Sequence, residues 1–492
     1  MKPRTLFKKT FFAASILFLT QQTIAGTLLV SHVISSSLSF HDENTLALLQ
    51  EMPVGKQPHE IALSLDGQYA LVSNFGDVNG RFPGETVTVV DIPNQVIEKT
   101  ITLPKAARPH GFAMLTDSTT LVTAQGLQSL LLLDFKRGDI LKTLALPGAG
   151  AHMVVVDNHQ DFAYIANADS GSVVKVDLKQ FHVIKELKVG KEIMGLTLTA
   201  NGLLLAADRK GDNIAVVNAL NFEIIKNIPT QSQPVRIELF NFGQSAVVIN
   251  SASGSAQIID LNTLEITKTF NTSAASFSNI PVNLFLKNDQ RTAYIAHYSG
   301  ELSYVDLFEG KVLHRIQSGV TANGMVLIPL QNVKTFNPTD WVFYSGPIEI
   351  NAPLETVWEI SKDINSYERL SQGAITAYID GEIAIGKTIE FQLYKNDPIG
   401  KLIPTSYELV TNVDNDRKVL EWQKKLPDGQ YTIRWQFLHK LSETQTSSYI
   451  VLYIPGNAGK VTKKLLGDKI DYAFQLLNDG IKNEAESRSK SL

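Results

Sequence analysis

The chain has no cysteine. That absence excludes a disulfide scaffold, an iron–sulfur or cysteine–zinc centre, and a cysteine nucleophile. It also lacks a basic excess: 45 Lys and Arg face 49 Asp and Glu over 492 residues, a formal charge of −4. Nucleic-acid phosphates must be neutralised by Lys and Arg, so no nucleic-acid partner is expected. Gly (32) and Pro (19) are too few for a collagen-like or low-complexity chain, while 44% hydrophobic residues suffice for ordinary cores. There is no phosphate-cradling glycine loop, no nucleophile elbow and no His-Glu-x-x-His helix. No catalytic residue is assigned on these grounds, and binding is favoured over catalysis.

The N-terminus supplies the first positive signal. Lys2, Arg4, Lys8 and Lys9 form a basic region, and Phe11 to Leu19 is a short apolar run. Thr23-Ile24-Ala25 then offers small residues on either side of Ile24. Residues 1–25 read as a secretory signal peptide rather than an anchor, because the apolar run falls well short of the ~20 residues that span a bilayer. Its removal takes away four basic residues and no acidic one, leaving an acidic mature chain. The expected location is exported, periplasmic or secreted, with no transmembrane segment in the mature chain.

A repeat of about 42 residues organises the chain from the end of this segment to about residue 330. One unit runs from Pro58-His59 through the turn Asp66-Gly67 and the strand ending Val72-Ser73-Asn74 to Thr86-Val87-Thr88-Val89-Val90-Asp91. Later units begin around Pro109-His110, Ala151-His152, Met194, Val235 and Val282, and a fragment begins near Asn323. Each holds short runs of Val, Ile, Leu and Thr separated by turn residues, the pattern of a four-stranded antiparallel meander. Such units are propeller blades. Leu28 to His32 matches the second strand of a unit and Ser39 to Asp42 the third, so the N-terminal strands complete the fragment at Gly324–Leu330 and close a ring of seven. Closure removes exposed sheet edges.

Strand endings such as Tyr164-Ile165-Ala166-Asn167, followed by Gly171-Ser172-Val173 and Val176-Asp177, resemble the YVTN family of β-propellers, which includes YncE-like exported proteins. The resemblance covers about residues 27–330. It implies a fold and leaves function open, because such propellers host binding proteins, lactonase-like enzymes and cofactor proteins alike.

After Leu330 the repeat stops. Residues 331–345 read as a linker, with a turn signal at Asn337-Pro338-Thr339-Asp340. A second domain is expected at 346–492. It opens with a strand at Ile348-Glu349-Ile350 and a helix after Asn351-Ala352-Pro353, where proline suits the first turn. Strands follow around Thr388–Tyr394, Thr405–Val413, Lys418–Lys424, Tyr431–His439 and Ser447–Ile454. Val461, Leu465, Leu466, Ile470, Ala473, Phe474, Leu477 and Ile481 then mark one long amphipathic helix. The order describes an α+β helix-grip domain. It resembles the SRPBCC superfamily (polyketide cyclase/START-like) through Ile350-Asn351-Ala352-Pro353, Val357-Trp358, Asp363, Gly386 and Val419-Leu420-Glu421-Trp422. The resemblance implies an apolar cavity for a hydrophobic small molecule or lipid, with Trp358, Phe391, Trp422, Trp435, Phe437 and Tyr449 as wall residues.

One constellation stands out in the repeat. His59, His110 and His152 hold the same register at the start of the innermost strand in three consecutive units, where the others carry Met194, Val235, Val282 and Asn323. Innermost strands surround the central channel, so the imidazoles should gather on one arc of its mouth. Three readings stand at this point: a site for one divalent metal ion (Zn, Cu or Fe), a polar ligand site without metal, or simple repetition. Glu60 and Arg236, one residue further on, either share the mouth or point between blades, and His32 and His297 close their second strands at the same face, where a turn or capping role is favoured over ligand contact. The aspartates Asp91, Asp134, Asp177, Asp260 and Asp306 are expected to form turns.

The sequence therefore predicts an exported two-domain binding protein. Its second domain holds a hydrophobic ligand, and its propeller offers an interaction platform, for instance for a protein, or a polar ligand site. The alternative is a metal-dependent lactonase-like hydrolase or isomerase using His59, His110 and His152. The innermost strand leaves the propeller on the face opposite the histidines, so two separate sites are expected.

Overall fold

The structure, a computed structural model, describes residues 26–43, 45–77, 80–157, 160–199, 202–273, 280–287, 290–318, 321–328, 341–395, 405–415, 418–426, 431–454, 456–466 and 468–490. The expected signal peptide and residues 329–340, which include Leu330 and most of the expected linker, lie outside the described residues. No helix among the described residues is long and apolar enough to cross a membrane.

Seven four-stranded antiparallel sheets form a β-propeller. Blade 1 joins the two chain ends of the ring: Ala322–Ile328 pairs with Thr27–His32, which continues to Ser37–Asp42 and Leu48–Pro53. The innermost strands of blades 2 to 7 are Pro58–Leu63, Pro109–Met114, Ala151–Val156, Ile193–Leu198, Pro234–Phe240 and Pro281–Leu286. Each touches the next, and Ala322–Ile328 touches Pro58–Leu63, so the ring is closed as the repeat predicts.

Strand periodicity explains the packing. Neighbouring side chains on a strand point to opposite faces, and each blade is covered on both faces by its neighbours. Leu121 packs in the cluster shared by blades 3 and 4, whereas the next residue, Val122, packs in the cluster shared by blades 2 and 3. Seven such clusters fill the seven gaps. Middle strands are consequently apolar on both faces, each buried Val, Leu or Ile contributing roughly 1.5–3 kcal/mol. Outermost strands such as Val96–Thr102 face water. The third-strand aspartates do form turns: Asp91, Asp134, Asp177, Asp260 and Asp306 each accept a backbone N–H two or three residues on.

The C-terminal part is a seven-stranded antiparallel sheet, a half-barrel with a few helices. The strands lie in the order Trp341–Ile350, Gln445–Ile454, Tyr431–Ser442, Val419–Lys425, Ser406–Asp414, Thr388–Leu393, Ile375–Tyr378. Its first strand begins at Trp341, ahead of the expected boundary at 346, and Ile375–Tyr378 is a strand that the pattern of residues does not announce. Helices Leu354–Lys362 and Tyr367–Leu370 connect the first two strands. The single C-terminal helix expected from periodicity is two helices, Gly456–Leu466 and Lys469–Lys490. The second lays Ile470, Ala473, Phe474, Leu477 and Ile481 on one face of the sheet.

Alternation along the strands corrects the expected cavity wall. Trp358, Phe391 and Trp422 lie in the core between sheet and helices. Trp435, Phe437 and Tyr449 belong to a separate cluster with Ile433, Val451 and Tyr453, on the opposite face of the same strands. Trp435 and Phe437 share a parity with Ile433, while Arg434, Gln436 and Leu438 point toward the helices. The six aromatics thus do not line one space. Tyr449 instead stacks on Phe308 of the propeller, with ring centroids 6.0 Å apart and planes 20° from parallel, so this face meets the propeller.

Candidate functional site at the propeller mouth

The histidine register is produced by a β-bulge. Pairing between innermost and second strands shifts between Pro58 and Ile61, between Pro109 and Phe112, and between Ala151 and Val154. A bulge releases residues from the ladder and re-aims their side chains. Here the released pairs are His59-Glu60, His110-Gly111 and His152-Met153. Hydroxyls of the second strands hold the bulged backbone: the N–H of Glu60 donates to Ser73 Oγ at 3.0 Å and that of Gly111 to Thr123 Oγ1 at 2.8 Å.

The three imidazoles come together as the register predicts. His59 and His110 have ring centroids 4.3 Å apart, and His110 and His152 are 3.7 Å apart with planes tilted 35°. Phe75 flanks the pair at 5.4 Å from His59 and 5.3 Å from His110, and the Arg108 guanidinium sits 4.2 Å above the Phe75 ring. Asn323 Nδ2 lies 3.1 Å from His59 Nε2. His152 Nδ1 donates to the Met194 carbonyl at 2.9 Å, so the Met194 contribution is its backbone. His32 and His297 are buried in their own blades against Ser39 (2.7 Å) and Ser303 (2.9 Å).

Beside the histidines an ion pair crosses the channel. Arg236 Nη2 of blade 6 donates to Glu60 Oε2 of blade 2 at 2.6 Å, and Arg236 Nη1 lies 3.3 Å from Met153 Sδ. Glu238 lies 3.6 Å from Arg236 Nε. Sequence reasoning placed Glu60 and Arg236 at the mouth without pairing them, and it missed Phe75, Arg108, Met153 and Glu238. The signal for the pairing was opposite charge at one bulge position in blades facing each other across a ring of seven.

Enclosure sets the protonation states. Burial, reinforced by the neighbouring imidazoles and by Arg236 and Arg108, holds His110 well below the usual histidine range. Burial and His59 lower His152 to about 3, against the opposing pull of Glu60 and the Met194 carbonyl. Burial alone would raise the Glu60 carboxyl, but Arg236 and His59 outweigh it and hold it well below the carboxylate range. Glu238, whose side chain is still 38% exposed, is raised to about 7 by desolvation at its inner edge and by the repulsion of Glu60, against the attraction of Arg236. The site at neutral pH is therefore two neutral imidazoles, His110 and His152, beside His59 and a compensated Glu60–Arg236 pair.

Ligand atoms of His59, Glu60 and His110 all lie within 4.8 Å of one another. His59 Nδ1 is 3.6 Å from Glu60 Oε1, and both His59 Nδ1 and His110 Nδ1 are buried without a hydrogen-bond partner. Two imidazoles and a carboxylate are a donor set that suits Zn, Fe or Cu. A metal there would share Glu60 with Arg236.

No family model matches the chain. It is 24% identical over 211 residues to Protein NirF of Stutzerimonas stutzeri, covering 40% of this chain and 51% of that protein. Identity to Protein NirF of Pseudomonas aeruginosa is also 24%, over 209 residues, 39% of this chain and 51% of that one. The chain thus spans about half the length of the curated relatives it matches. A functionally unknown protein from Desulfotomaculum acetoxidans superposes with a TM-score of 0.52 at 15% identity, over 62% of this chain and 99% of its own. At that identity the likeness is one of fold, and the fold of this chain over the ring is a seven-bladed β-propeller.

Proposed function

We propose that this chain is an exported two-domain binding protein. Its C-terminal half-barrel is a helix-grip domain of the START-like kind that holds a hydrophobic small molecule or lipid between sheet and helices. Its propeller presents the histidine-lined mouth as a separate polar site or interaction platform. The observation that carries the reading is the strand order, in which the first strand lies beside the last and the long helix Lys469–Lys490 crosses the sheet face they share. The basic and apolar N-terminal residues support export.

Native mass spectrometry of the mature full-length protein, purified without chelators or a histidine tag and offered a lipid extract, tests this. The expected result is a lipid-sized or small-molecule adduct that survives His110→Ala. Absence of any such adduct removes the binding reading.

The cluster of His59, Glu60 and His110 favours one rival. In it, these residues would hold a divalent metal ion, which would supply Lewis-acid chemistry toward a carbonyl or a water, as in a lactonase-like hydrolase or isomerase. His59 and His110 would supply imidazole nitrogens and Glu60 a carboxylate oxygen, with the His152 ring packed against His110. A mass increment of one metal ion, lost in His110→Ala and in Glu60→Gln, supports this rival.

A further inference from the structure

The face of the half-barrel that meets the helices carries polar side chains as well as apolar ones, and nearly every hydrogen-bonding atom described there has a partner. Gln436 Nε2 donates to Ser361 Oγ at 3.0 Å, and its Oε1 lies 2.8 Å from the Tyr367 hydroxyl. Asn478 accepts from Ser448 at 2.8 Å and donates to Ser345 Oγ at 3.0 Å. Glu408 is taken on both oxygens by Arg434, through Nε at 3.1 Å and Nη2 at 3.0 Å. Of the indoles on this face, Trp358 Nε1 donates to Asn415 at 3.0 Å.

Two atoms among the described residues of this face break the pattern. Trp422 Nε1 and Arg434 Nη1 are buried without a hydrogen-bond partner, on residues only 1% and 5% exposed. They are not scattered. Trp422 and Arg434 are directly opposite each other on adjacent antiparallel strands, which places their Cβ atoms about 4.5–5.5 Å apart on one face. Buried donors in native proteins are satisfied as a rule, so two adjacent orphans mark the place of an absent acceptor.

The surroundings limit what that acceptor is. Both orphans donate, so the missing group accepts. Glu408 already neutralises Arg434, and a second carboxylate would place two anions against one cation inside an apolar core. The guanidinium is fixed against aromatic rings, its carbon 3.8 Å from the Phe391 centroid and 5.3 Å from that of Phe474. Val410 lies directly opposite Trp422 on the next strand, and Leu420 shares its face.

Resting on the ligand-binding reading of this domain, we infer that Trp422 and Arg434 form the polar anchor of its interior. The ligand class it selects is a neutral, largely apolar molecule bearing a carbonyl oxygen, which accepts from Trp422 Nε1 and Arg434 Nη1 together. Phe391 and Phe474 supply the flat apolar walls beside that oxygen. A purely hydrocarbon ligand leaves both donors unsatisfied, and a free fatty acid brings a charge the site does not compensate.

A matched pair of fluorescent probes tests this on the mature full-length protein: a propionyl-substituted dimethylaminonaphthalene, and its propyl counterpart, which lacks only the carbonyl. The ketone is expected to bind more tightly, with its bound carbonyl stretch shifted to the lower frequency of a hydrogen-bonded ketone. Trp422→Phe, which keeps an aromatic ring but removes the N–H, should weaken the ketone about fivefold to tenfold, the worth of one buried hydrogen bond, and leave the propyl compound unchanged. His110→Ala should affect neither. Equal affinity for both probes, with a carbonyl stretch like that in an alkane, overturns the anchor while the ligand-binding domain stands. No binding of either probe overturns both. Loss of binding in His110→Ala places the probe in the propeller and also overturns the anchor. The infrared reading needs only the unmodified protein, so misfolding of Trp422→Phe does not protect the inference.

Discussion

Arg236 and Glu60 come from blades on opposite sides of the ring and meet at 2.6 Å in the channel, beside a cluster of three histidines. Each belongs to a β-bulge at the start of its innermost strand, and each is nearly enclosed, with side chains 13% and 9% exposed. The pair ties together two blades that share no hydrogen-bonded ladder. It also decides which charges the mouth presents.

Removing Arg236 alone should be much worse than removing both partners of this pair. Arg236→Met leaves the buried Glu60 carboxylate without its cation and is expected to destabilise the propeller by about 3–5 kcal/mol, whereas Glu60→Gln leaves Arg236 its contact with Glu238 and should cost less. The double variant should recover most of that loss. Thermal and urea unfolding of the three variants measures the coupling. Single variants within about 0.5 kcal/mol of the parent would show that the channel is wet enough to screen the pair.

The buried histidines give the metal-free protein a specific acid sensitivity. His152 has a value of about 3 against 6.5 when unfolded, so between those two pH values the unfolded chain binds a proton that the folded chain does not. Stability should therefore fall as pH drops from about 6.5 toward 3, by up to roughly 1.4 kcal/mol per pH unit for one such group. His152→Gln should reduce that slope by as much as one proton. An unchanged slope would mean that His152 is charged in the folded state.

Glu238 acts with the opposite sign. Its carboxyl is raised to about 7 from 4.5, so the folded protein holds a proton that the unfolded one has released. Its contribution to stability is full below 4.5 and is lost as pH rises through 7. The charged groups facing it are Arg236, which limits the rise, and Glu60, which increases it. Carbon-13 labelled glutamate should show one carboxyl titrating near neutrality, and that signal should vanish in Glu238→Gln. A full set of carboxyls titrating below 5 would contradict the assignment.

Two glycines should respond differently to alanine. Gly67 lies in the blade 2 turn with φ of +68° and open space around it, so Gly67→Ala should cost about 1 kcal/mol from the backbone alone. Gly324 lies in the strand that closes the ring, and a Cβ there would fall 2.1 Å from the His59 carbonyl oxygen. Its N–H also donates to Ser31 Oγ at 2.8 Å, and that hydroxyl donates to the His59 carbonyl at 2.7 Å. Gly324→Ala should destabilise closure by more than Gly67→Ala and shift the His59 imidazole resonances. Equal melting points for the two variants would show that blade 1 closes without close approach to blade 2.

Much of this molecule is legible in its residues because a propeller repeats a local pattern. The turn at Asp66-Gly67, the third-strand aspartates and the shared His59, His110 and His152 register each follow from short-range chemistry copied around a ring. The match of Leu28–His32 to a second strand was enough to predict that the ends would join. The half-barrel is less legible. Trp435, Phe437 and Tyr449 read as cavity wall because they are large, aromatic and on strands, yet their parity puts them on the face that meets Phe308. When both faces of a sheet are buried, hydrophobicity no longer marks which face is inward.

Composition and periodicity alone determined the absence of cysteine chemistry, the blade count, the strand-rich second domain and the histidine register. These depend on interactions within about one repeat length, where spacing along the chain fixes spacing in the fold. Tertiary structure alone decided that Glu60 would meet Arg236, that His110 and His152 would be neutral, and that Trp422 and Arg434 would stand side by side with unspent donors. Those facts depend on which strands face one another and on how completely solvent is excluded between them. Charge, proton affinity and hydrogen-bond demand are set by that enclosure rather than by residue type.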